Sequence, residues 1–572
     1  MPLASIALNP QYRTQSLQRM ADEVFDVLVI GGGIVGVGAA LDAVTRGLSV
    51  ALVEQRDFAS GTSSRSSKLI HGGLRYLEQY NFGLVREALA ERALLLKVLC
   101  PHLVRPVPFL YPLRHRVWER AYVGAGVLLY DLLGLLGGVR AVPAHRHLSK
   151  RRALQIAPGL REDALTGAVQ YYDAQVDDAR HTMMVAKTAA LYGAAVATSA
   201  CVTDLLQENR RVVGAAVHDL EGDRGFTVHA KQVINATGVW TDDVNKMLGG
   251  HTKFEVRPSK GIHLVIPRER IRLDTGLITK TEKSVLFIIP WGPHWLIGTT
   301  DTDWRLDRAH PAATRGDIQY VLDHVNEWVS DPVTTDDIQG VFAGLRPLLS
   351  EDPTATTASL SREHSVIQPL KGLTVIAGGK YTTYRVMAKD AVDAAVQHLD
   401  QDVPACVTKD VRIVGAEGYQ ALRNSRQRLA DRSGLHVAVI DHLLHRYGAL
   451  IVEVLDLVAE RPDLGEPIPG ADEYIKAEAV YAARAESALH LEDVIVRRTR
   501  ISFETFDRGL EAAENVVGLV AHELGWDEPK RQQELELYRA RVQAERTAQQ
   551  ELTDEAADAI RVNAPDVRAG AA

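Results

Sequence analysis

A glycine-rich turn after the first predicted strand constrains the fold of this 572-residue chain more than any other feature. Residues 25–30 (FDVLVI) predict a short strand, and residues 31–36 (GGGIVG) follow it and open a helix. Gly31 permits a tight turn, Gly33 lets backbone N–H groups approach a pyrophosphate, and Gly36 lets the helix and the strand pack closely. The pattern therefore predicts a βαβ unit that binds a dinucleotide at the N-terminus of its helix.

A carboxylate follows the second predicted strand of this unit. The strand covers residues 49–53, and Glu54 comes directly after it, 18 residues beyond Gly36. A carboxylate there accepts hydrogen bonds from both ribose hydroxyls of an adenosine and repels a 2′-phosphate, which disfavours NADP. Two further strands end in glycine turns far downstream, at residues 234–238 (INATG) and 378–380 (GGK). Because backbone N–H groups in such turns also bind cofactors, the sequence favours FAD held by several chain segments.

Composition narrows the class of protein. Hydrophobic residues make up 46% and charged residues 24%, as is typical of a folded globular protein, and the net charge of −8 argues against a nucleic-acid partner. Three widely spaced cysteines provide neither a disulfide framework nor a metal site, which indicates a reducing compartment. The first 25 residues contain no apolar core of the signal-peptide type, so we expect a protein that is not exported.

The composition also changes along the chain and predicts its domains. Residues 1–24 are a polar lead-in, residues 25–395 a mixed α/β body, residues 400–545 a helical domain, and residues 546–572 a polar tail that we expect to fray. Within the body, cofactor-binding parts are predicted at about 25–80, 160–240 and 340–395, and substrate- or membrane-binding parts at about 81–159 and 241–339.

Six motifs occur in order within the α/β body. The longest is residues 62–78 (TSSRSSKLIHGGLRYLE). The other five are residues 177–180 (DDAR), 235–240 (NATGVW), 298–301 (GTTD), 344–348 (GLRPL) and 378–385 (GGKYTTYR). Together they closely resemble the signature of the FAD-dependent glycerol-3-phosphate dehydrogenases, and residues 493–500 (DVIVRRTR) resemble part of that family's C-terminal domain. The resemblance covers nearly the whole chain.

The resemblance implies the fold class α/β (α+β): a two-domain flavoprotein with a Rossmann-like FAD-binding domain and an antiparallel-sheet substrate domain, followed by a helical C-terminal domain. It implies oxidation of sn-glycerol 3-phosphate to dihydroxyacetone phosphate by hydride transfer to FAD, with electrons passed to a membrane quinone, in glycerol and glycerophospholipid catabolism. The alternative is a glycerol-3-phosphate oxidase, which passes electrons to O2 and produces H2O2. That branch carries an additional segment, and we find no such insertion between Asp301 and Gly340, which favours the dehydrogenase.

The substrate carries a phosphate dianion and a secondary alcohol, so its site needs cations and a proton acceptor. From the resemblance, the substrate-binding residues are expected to be Arg75, Tyr76, Arg346 and Lys380. The catalytic residues are expected to be His71, His263, Arg346 and Lys380. The general base remains open between the two histidines, with a third alternative in which an arginine polarises the hydroxyl and water takes the proton.

The expected cofactor contacts come from the glycine turns and from a serine-rich stretch that follows Glu54 within a few residues. They are Gly31, Gly33, Ile34, Val35, Gly36, Glu54, Gln55, Thr62, Ser63, Ser66, Ser67, Lys68, Leu69, His71, Gly72, Ala236, Thr237, Gly238, Gly379, Lys380, Thr382 and Thr383. No metal-ligand set is predicted. Two other function classes are less well supported: an amine or amino-acid oxidase needs only one arginine for a carboxylate, and a non-catalytic flavin-binding protein needs no complete pocket.

Residues 121–139 (AYVGAGVLLYDLLGLLGGV) form an apolar segment with one charge, Asp131. The segment is long enough to span a bilayer, but a single crossing would place cofactor motifs on opposite sides of the membrane. A buried helix plus turn is therefore expected. The alternative rests on aromatic and basic flanking residues, which suit an anionic membrane surface: Trp118, Tyr122, Tyr130, Arg114, Arg116, Arg120, Arg146, Lys150, Arg151 and Arg152. We thus expect a cytoplasmic protein held peripherally on the inner face of the cell membrane, with a homodimer as one possible assembly.

Overall fold

The structure is a computed structural model that describes residues 5–78, 80–135, 141–249, 255–282, 285–350 and 363–568. For Arg75, Leu135 and Ser350 it describes only the backbone.

The described residues contain helices in both parts of the chain. The α-helices are α1 (Pro10–Asp22), α2 (Ile34–Thr45), α3 (Arg75–Glu78), α4 (Phe82–Leu94), α5 (Trp118–Leu135), α6 (Lys150–Ile156), α7 (Asp178–Leu191), α8 (Thr241–Lys246), α9 (Arg315–Asn326), α10 (Tyr384–Val396), α11 (Tyr419–Asn424), α12 (Arg426–Ser433), α13 (Val437–Tyr447), α14 (Ile451–Glu460), α15 (Lys476–Ala485), α16 (Ile501–Glu504), α17 (Leu510–Leu524), α18 (Glu528–Ala548) and α19 (Asp554–Val562).

The strands form two large sheets and one short hairpin. They are β1 (Val24–Ile30), β2 (Val50–Val53), β3 (Leu69–Ile70), β4 (Arg105–Leu113), β5 (Arg146–Ser149), β6 (Gly167–Gln175), β7 (Ala195–Ala197), β8 (Ala200–Glu208), β9 (Arg211–Asp219), β10 (Arg224–Asn235), β11 (Glu255–Pro267), β12 (Gly276–Lys280), β13 (Val285–Trp291), β14 (His294–Gly298), β15 (Thr302–Asp303), β16 (Gly340–Ser350), β17 (His364–Leu370), β18 (Leu373–Gly378), β19 (Pro467–Ile468) and β20 (Ala471–Ile475).

The first sheet has five parallel strands in the order β18-β10-β1-β2-β7, and β17 pairs antiparallel with β18 at one edge. These strands are short apolar runs because both faces of the sheet are covered. Helices α2, α7 and α10 pack on one face. The other face packs against α1 and the antiparallel hairpin β8–β9. In the register, Ile30 lies beside Val53 and Asn235, so β1, β2 and β10 end at one edge. This confirms the predicted βαβ unit and the Rossmann-like domain.

The second sheet has ten strands and supplies the opposite wall of the cavity. Its order is β15-β11-β14-β13-β12-β4-β6-β3, with β16 beside β11 and β5 beside β6. All its pairs are antiparallel except β12 with β4. In the pairing of β11 with β16, Ser259 is opposite Arg346 and His263 is opposite Phe342. Side chains alternate between the faces of a strand, so these four residues lie on one face.

The C-terminal helices α11–α19 pack against the α/β body, as the expected helical domain requires. Apolar residues of α13, α14 and α15 belong to the same buried core as those of α2 and α7. A second core is confined to the C-terminal helices. The α/β body and the C-terminal helices therefore share a hydrophobic core and are not independent domains joined by a linker.

Residues 546–572 were expected to fray, and the structure differs from this expectation over residues 546–568, while residues 569–572 fall outside the described residues. The chain forms α19 there, and the buried Arg568 guanidinium donates to both carboxylate oxygens of Asp493, at 3.0 and 2.8 Å. Asp566 accepts from Arg56 at 2.6 Å. These ion pairs join residues far apart in sequence, so the tail's polar composition did not reveal them.

The apolar segment of residues 121–139 lies on the surface along one side. Its described part belongs to α5, while residues 136–139 fall outside the described residues. Val127 and Tyr130 are buried, whereas Leu128 and Leu132 are each 50% exposed. Within the described ranges, none of the helices combines the length and apolar character that a membrane crossing requires. The expectation of a buried helix holds for one side of α5 only.

Asp57 is a buried acceptor for two arginines of the C-terminal domain. Its carboxylate accepts from Arg497 Nε at 2.5 Å and from Arg498 Nη1 and Nη2 at 2.8 and 2.7 Å. We expect Asp57→Asn to lower the free energy of unfolding by about 3–5 kcal/mol, because two guanidinium groups lose their buried counterion. Urea unfolding at pH 7 measures the change. Asp163→Asn, which removes the exposed partner of Arg161, is the matched control and should leave stability unchanged; equal stability of the two variants would contradict the role of Asp57.

Candidate active site

A cavity of about 430 Å³ lies between the C-terminal edge of the first sheet and the face of the second. Its walls come from the turn after β1, the loop after β2, the turns after β10 and β18, and strands β11 and β16. All of these segments are far apart in sequence. The parallel register of the first sheet brings three of them together, and the β11–β16 pair closes the other side.

Two glycines of the turn after β1 are required by close contacts. Gly31 has a φ of +111°, and a Cβ added there would lie 2.8 Å from the carbonyl oxygen of Ala236. A Cβ at Gly36 would lie 1.9 Å from the carbonyl oxygen of Gly31. A side chain at Gly31 would push this turn away from the end of β10, and one at Gly36 would push α2 away from the turn, so close packing requires both glycines. Ser63 Oγ accepts from the N–H of Ile34 at 2.9 Å at the start of α2.

Glu54 is buried at the end of β2 and is already bonded to the backbone. Its Oε2 accepts from the N–H of Gly32 at 2.6 Å, and its Oε1 accepts from the N–H of Arg56 at 2.8 Å. Burial raises the pKa of this carboxyl above its ordinary value. Each carboxylate oxygen has a second lone-pair direction, so Glu54 retains the capacity to accept from ribose hydroxyls.

Buried ions hold the serine-rich loop on the side away from the cavity. Asp178 Oδ2 accepts from the N–H and the hydroxyl of Ser66, at 3.0 and 2.6 Å, and Asp178 Oδ1 accepts from Lys68 Nζ at 2.9 Å. Lys68 Nζ also donates to the carbonyl oxygen of Ser64 at 2.8 Å. Burial lowers the pKa of Lys68 to about 8. Lys68 therefore fixes the loop from behind and does not line the cavity.

His263 and Arg346 face the cavity from neighbouring strands. His263 Nε2 lies 2.9 Å from Ser67 Oγ, and its ring stacks on Phe342 with the ring centroids 4.9 Å apart. Burial, and after it the charges of Lys68 and Arg346, lowers the pKa of His263 well below its ordinary value. The imidazole is therefore neutral at neutral pH, and its Nδ1 is buried without a hydrogen-bond partner among the described residues.

Arg346 and Lys380 bring two positive charges to the same cavity. Arg346 Nη2 donates to Thr299 Oγ1 and to the carbonyl oxygen of Thr300, each at 3.1 Å. Lys380 follows β18, and its Nζ lies 3.5 Å from the ring centroid of Tyr76. A Cβ at Gly261 on β11 would approach the Arg346 guanidinium to 2.5 Å, so the glycine leaves room for that side chain.

The cavity brings most of the predicted site residues together. Those that line it are Gly31, Gly33, Ile34, Val35, Glu54, Gln55, Thr62, Ser63, Ser66, Ser67, Leu69, His71, Tyr76, Ala236, Thr237, Gly238, His263, Arg346, Gly379, Lys380 and Thr382. The side chain of Arg75 falls outside the described part of the chain, so its expected substrate contact stays a prediction.

Four residues expected to bind the cofactor lie behind the cavity wall: Gly36, Lys68, Gly72 and Thr383. Gly36 packs against Gly31, and Lys68 pairs with Asp178. The N–H of Gly72 donates to the hydroxyl of Tyr130 at 2.7 Å, and Thr383 Oγ1 donates to the carbonyl oxygen of Lys380 at 3.4 Å. Gly36 and Thr383 thus contact residues that line the cavity, whereas the partners of Lys68 and Gly72 lie behind it.

Two prominent lining residues were missed by sequence reasoning, Arg65 and Trp240. Both lie inside the motifs quoted above, so the signal was present. Burial lowers the pKa of Arg65 to about 9, and the charges of Arg541 and Arg497 add to the effect. Arg65 Nη1 donates to the carbonyl oxygen of Ala309 at 3.0 Å.

Comparison with known proteins agrees with this architecture. The family model described as FAD dependent oxidoreductase matches residues 26–385, and that of the C-terminal domain of alpha-glycerophosphate oxidase matches residues 406–531. The chain is 54% identical to glycerol-3-phosphate dehydrogenase 2 of Mycobacterium tuberculosis over 563 residues, 98% of this chain and 96% of that one. It is 40% identical to the mitochondrial glycerol-3-phosphate dehydrogenase of Bos taurus, over 93% of this chain and 75% of that one.

Among solved structures, the glycerol-3-phosphate dehydrogenase from Bacillus halodurans complexed with FAD superposes with a TM-score of 0.78 at 30% identity. The match covers 94% of this chain and 98% of the Bacillus chain. It therefore includes both the α/β body and the C-terminal helices.

Proposed function

We propose that the chain, which belongs to the FAD-dependent oxidoreductases and within them to the glycerol-3-phosphate dehydrogenases, passes the electrons of its substrate to a quinone in a membrane. Oxidation of glycerol 3-phosphate follows from membership of the family, and FAD supplies the hydride acceptor. The acceptor after FAD, the membrane contact and the residue roles are our proposals. One observation carries the acceptor and the membrane contact: the helix with an exposed apolar face is hydrogen-bonded to Gly72, the neighbour of the cavity-lining His71. The residue roles rest on contacts within the cavity.

The cavity has the properties that a bound FAD needs. Gly31, Gly238 and Gly379 all have positive φ values, of +111°, +59° and +79°, at three turns that meet the cavity. A Cβ at Gly379 would lie 2.4 Å from Met387 Sδ, so a side chain would fill the space beside the turn. Glu54 stands at the end of β2, where a ribose is held in dinucleotide-binding folds.

We assign the binding of the substrate phosphate to two cations of the cavity. Arg346 on β16 and Lys380 after β18 both line the cavity, and the Lys380 ammonium group packs on the aromatic face of Tyr76. An arginine binds a phosphate through two parallel N–H donors, and a lysine adds a compact charge. Arg75 remains a predicted third cation from the sequence alone.

Of the two candidate histidines, we assign the role of general base to His263 on the evidence of its own surroundings. A neutral imidazole accepts a proton, and His263 is held neutral by burial and by its cationic neighbours. Its contacts with Ser67 and Phe342 fix the ring while it faces the cavity. His71 also lines the cavity, and its backbone N–H donates to Thr382 Oγ1 at 3.1 Å. We therefore assign proton acceptance from the C2 hydroxyl to His263.

A surface helix supports the proposed membrane contact. On α5, Trp118, Tyr122, Leu128 and Leu132 are 61, 55, 50 and 50% exposed. Arg114 and Arg116 lie exposed just before the helix. An apolar face with aromatic residues and basic neighbours suits the interface of an anionic membrane. We propose that this face holds the enzyme peripherally on the cytoplasmic side of the cell membrane.

The buried side of α5 connects this surface to the cavity. The Tyr130 hydroxyl accepts from the N–H of Gly72 at 2.7 Å and donates to Asp173 at 2.6 Å. Gly72 is the neighbour of His71, which lines the cavity. The lipid-facing helix is thus one side chain away from the catalytic wall, which suits an acceptor that is dissolved in lipid.

His263→Ala tests the assignment of the base. Turnover should fall by about 10²–10⁴-fold, the range for lost general-base help, while flavin absorbance stays unchanged. In the unaltered enzyme, activity should persist below pH 6.5, because the pKa of His263 is lowered and the ring remains neutral there. His229→Ala removes an exposed histidine and is the matched control. A loss confined to His71→Ala would transfer the role to His71.

Stopped-flow reduction tests the electron acceptor. Glycerol 3-phosphate should bleach the flavin absorbance anaerobically, and a ubiquinone or menaquinone analogue should restore it at least about tenfold faster than air-saturated buffer does. Peroxide should stay well below one equivalent per substrate oxidised. Stoichiometric peroxide with no quinone reduction would replace the quinone proposal with an oxidase; absence of bleaching would contradict the substrate.

Replacing three exposed side chains tests the membrane face. Tyr122→Ser/Leu128→Ser/Leu132→Ser should weaken binding to phosphatidylglycerol vesicles by about tenfold or more, because each loses apolar area that lipid would cover. Reduction of a water-soluble quinone analogue should not change. Val452→Ser/Leu552→Ser/Val562→Ser removes exposed apolar groups elsewhere and serves as the control. Equal vesicle binding by both triple variants would reject this face.

A further inference from the structure

A second cavity lies behind the catalytic one, where the α/β body meets the C-terminal domain. Its volume is about 100 Å³. Its walls come from the 3₁₀ turn at residues 62–64 and the start of β16 on one side, and from α16, α18 and α19 on the other. The space is large enough for a few water molecules or a small oxyanion and too small for a nucleotide.

The charged residues that line this cavity are predominantly basic. They are the arginines Arg65, Arg500, Arg508, Arg541 and Arg561 and the glutamates Glu492 and Glu545. Two of the arginines have counterions close by. Arg500 donates to Asp177 at 3.0 and 2.7 Å, and Arg541 lies 3.1 Å from Glu492.

The other three arginines, Arg65, Arg508 and Arg561, have one carboxylate near them, and it lies close to only two of them. Glu545 lies 3.6 Å from Arg508 Nε and 3.7 Å from Arg561 Nη1, beyond direct hydrogen bonding. Arg65 has no carboxylate within 4.0 Å among the described residues. Three guanidinium groups thus face one carboxylate, an excess of two positive charges.

Arg508 gives an independent sign of an absent partner. The residue is 6% exposed, and its Nε and Nη1 atoms are buried without a hydrogen-bond partner in the part of the chain that the structure describes. A buried cationic donor without an acceptor is costly, so native structures rarely leave one.

A purely structural role does not account for this arrangement. Neighbouring arginines at the same domain boundary are fully paired: Arg498 makes two bonds to Asp57, and Arg568 makes two bonds to Asp493. Burial lowers the pKa values of Arg65, Arg508 and Arg561, which indicates positive charges that the protein itself does not compensate. Arginines with full ion pairs and arginines without them therefore lie next to each other at this domain boundary.

We infer that this cavity is a second anion site, which binds a phosphate dianion or the phosphate group of a small metabolite. An oxyanion there would accept from Arg508 and Arg561 and would neutralise the two excess charges. Arg65 lines both this cavity and the catalytic one, so an occupant would contact a side chain that also reaches the flavin site. The site is distinct from the one that Arg346 and Lys380 provide for the substrate.

Calorimetric titration of inorganic phosphate into the holoenzyme tests the site. Lys380→Gln is the background, because it weakens phosphate binding at the catalytic cavity. We expect one phosphate per chain in this background, and a dissociation constant at least about tenfold larger after Arg508→Gln or Arg561→Gln. Chloride at equal ionic strength corrects for screening.

Two further variants separate specific binding from altered folding. Arg539→Gln removes an exposed arginine of α18 and should leave the dissociation constant unchanged. Glu545→Gln removes the carboxylate beside Arg508 and Arg561 and should tighten phosphate binding by several-fold, a gain that a misfolded protein does not produce. The inference is overturned if Lys380→Gln holoenzyme binds no phosphate, or if neither the arginine variants nor Glu545→Gln changes the affinity.

Discussion

Buried charges hold the loop between β2 and β3, and the catalytic cavity depends on them. On the cavity side this loop supplies Thr62, Ser63, Ser66 and Ser67, all small polar residues. On the far side the loop is bound by cations. Arg497 and Arg498 donate to the Asp57 carboxylate, and Arg500 and Lys68 donate to the carbonyl oxygen of Ser64. Lys68 also donates to Asp178. Apart from Lys68, these cations come from the C-terminal domain, so that domain helps to build the site without lining the catalytic cavity.

One of these charges also acts on the catalytic wall. Burial, and after it the charges of Lys68 and Arg346, lowers the pKa of His263 well below the ordinary value. A histidine in a solvent-exposed site would be partly protonated near neutral pH. Positive charges near the cavity attract a dianionic substrate, and the same charges favour the neutral form of the histidine.

The sequence predicted those features that depend on local patterns. The strand, the glycine turn and Glu54 specified the βαβ unit, and nearly all the expected cofactor contacts line the cavity because motif residues cluster at strand ends. Local patterns could not predict which side chains of a motif face the cavity. Lys68 pairs with Asp178 behind the cavity, while Arg65, three residues earlier, lines it. The ordered tail was missed for the same reason, since Arg568 is fixed by Asp493, 75 residues away. Long-range ion pairs leave no periodic signal in a sequence.

The α5 helix shows how a mixed environment can resemble a buried one in sequence. Apolar residues lie around most of the helix. One side packs on β6 and α4, and the other side is exposed. Tyr130 belongs to the packed side and is bonded to Gly72 and Asp173, so α5 cannot shift without disturbing the wall that carries His71. If the exposed side of α5 contacts lipid, as proposed, a single side chain, Tyr130, separates that contact from the wall of the cavity.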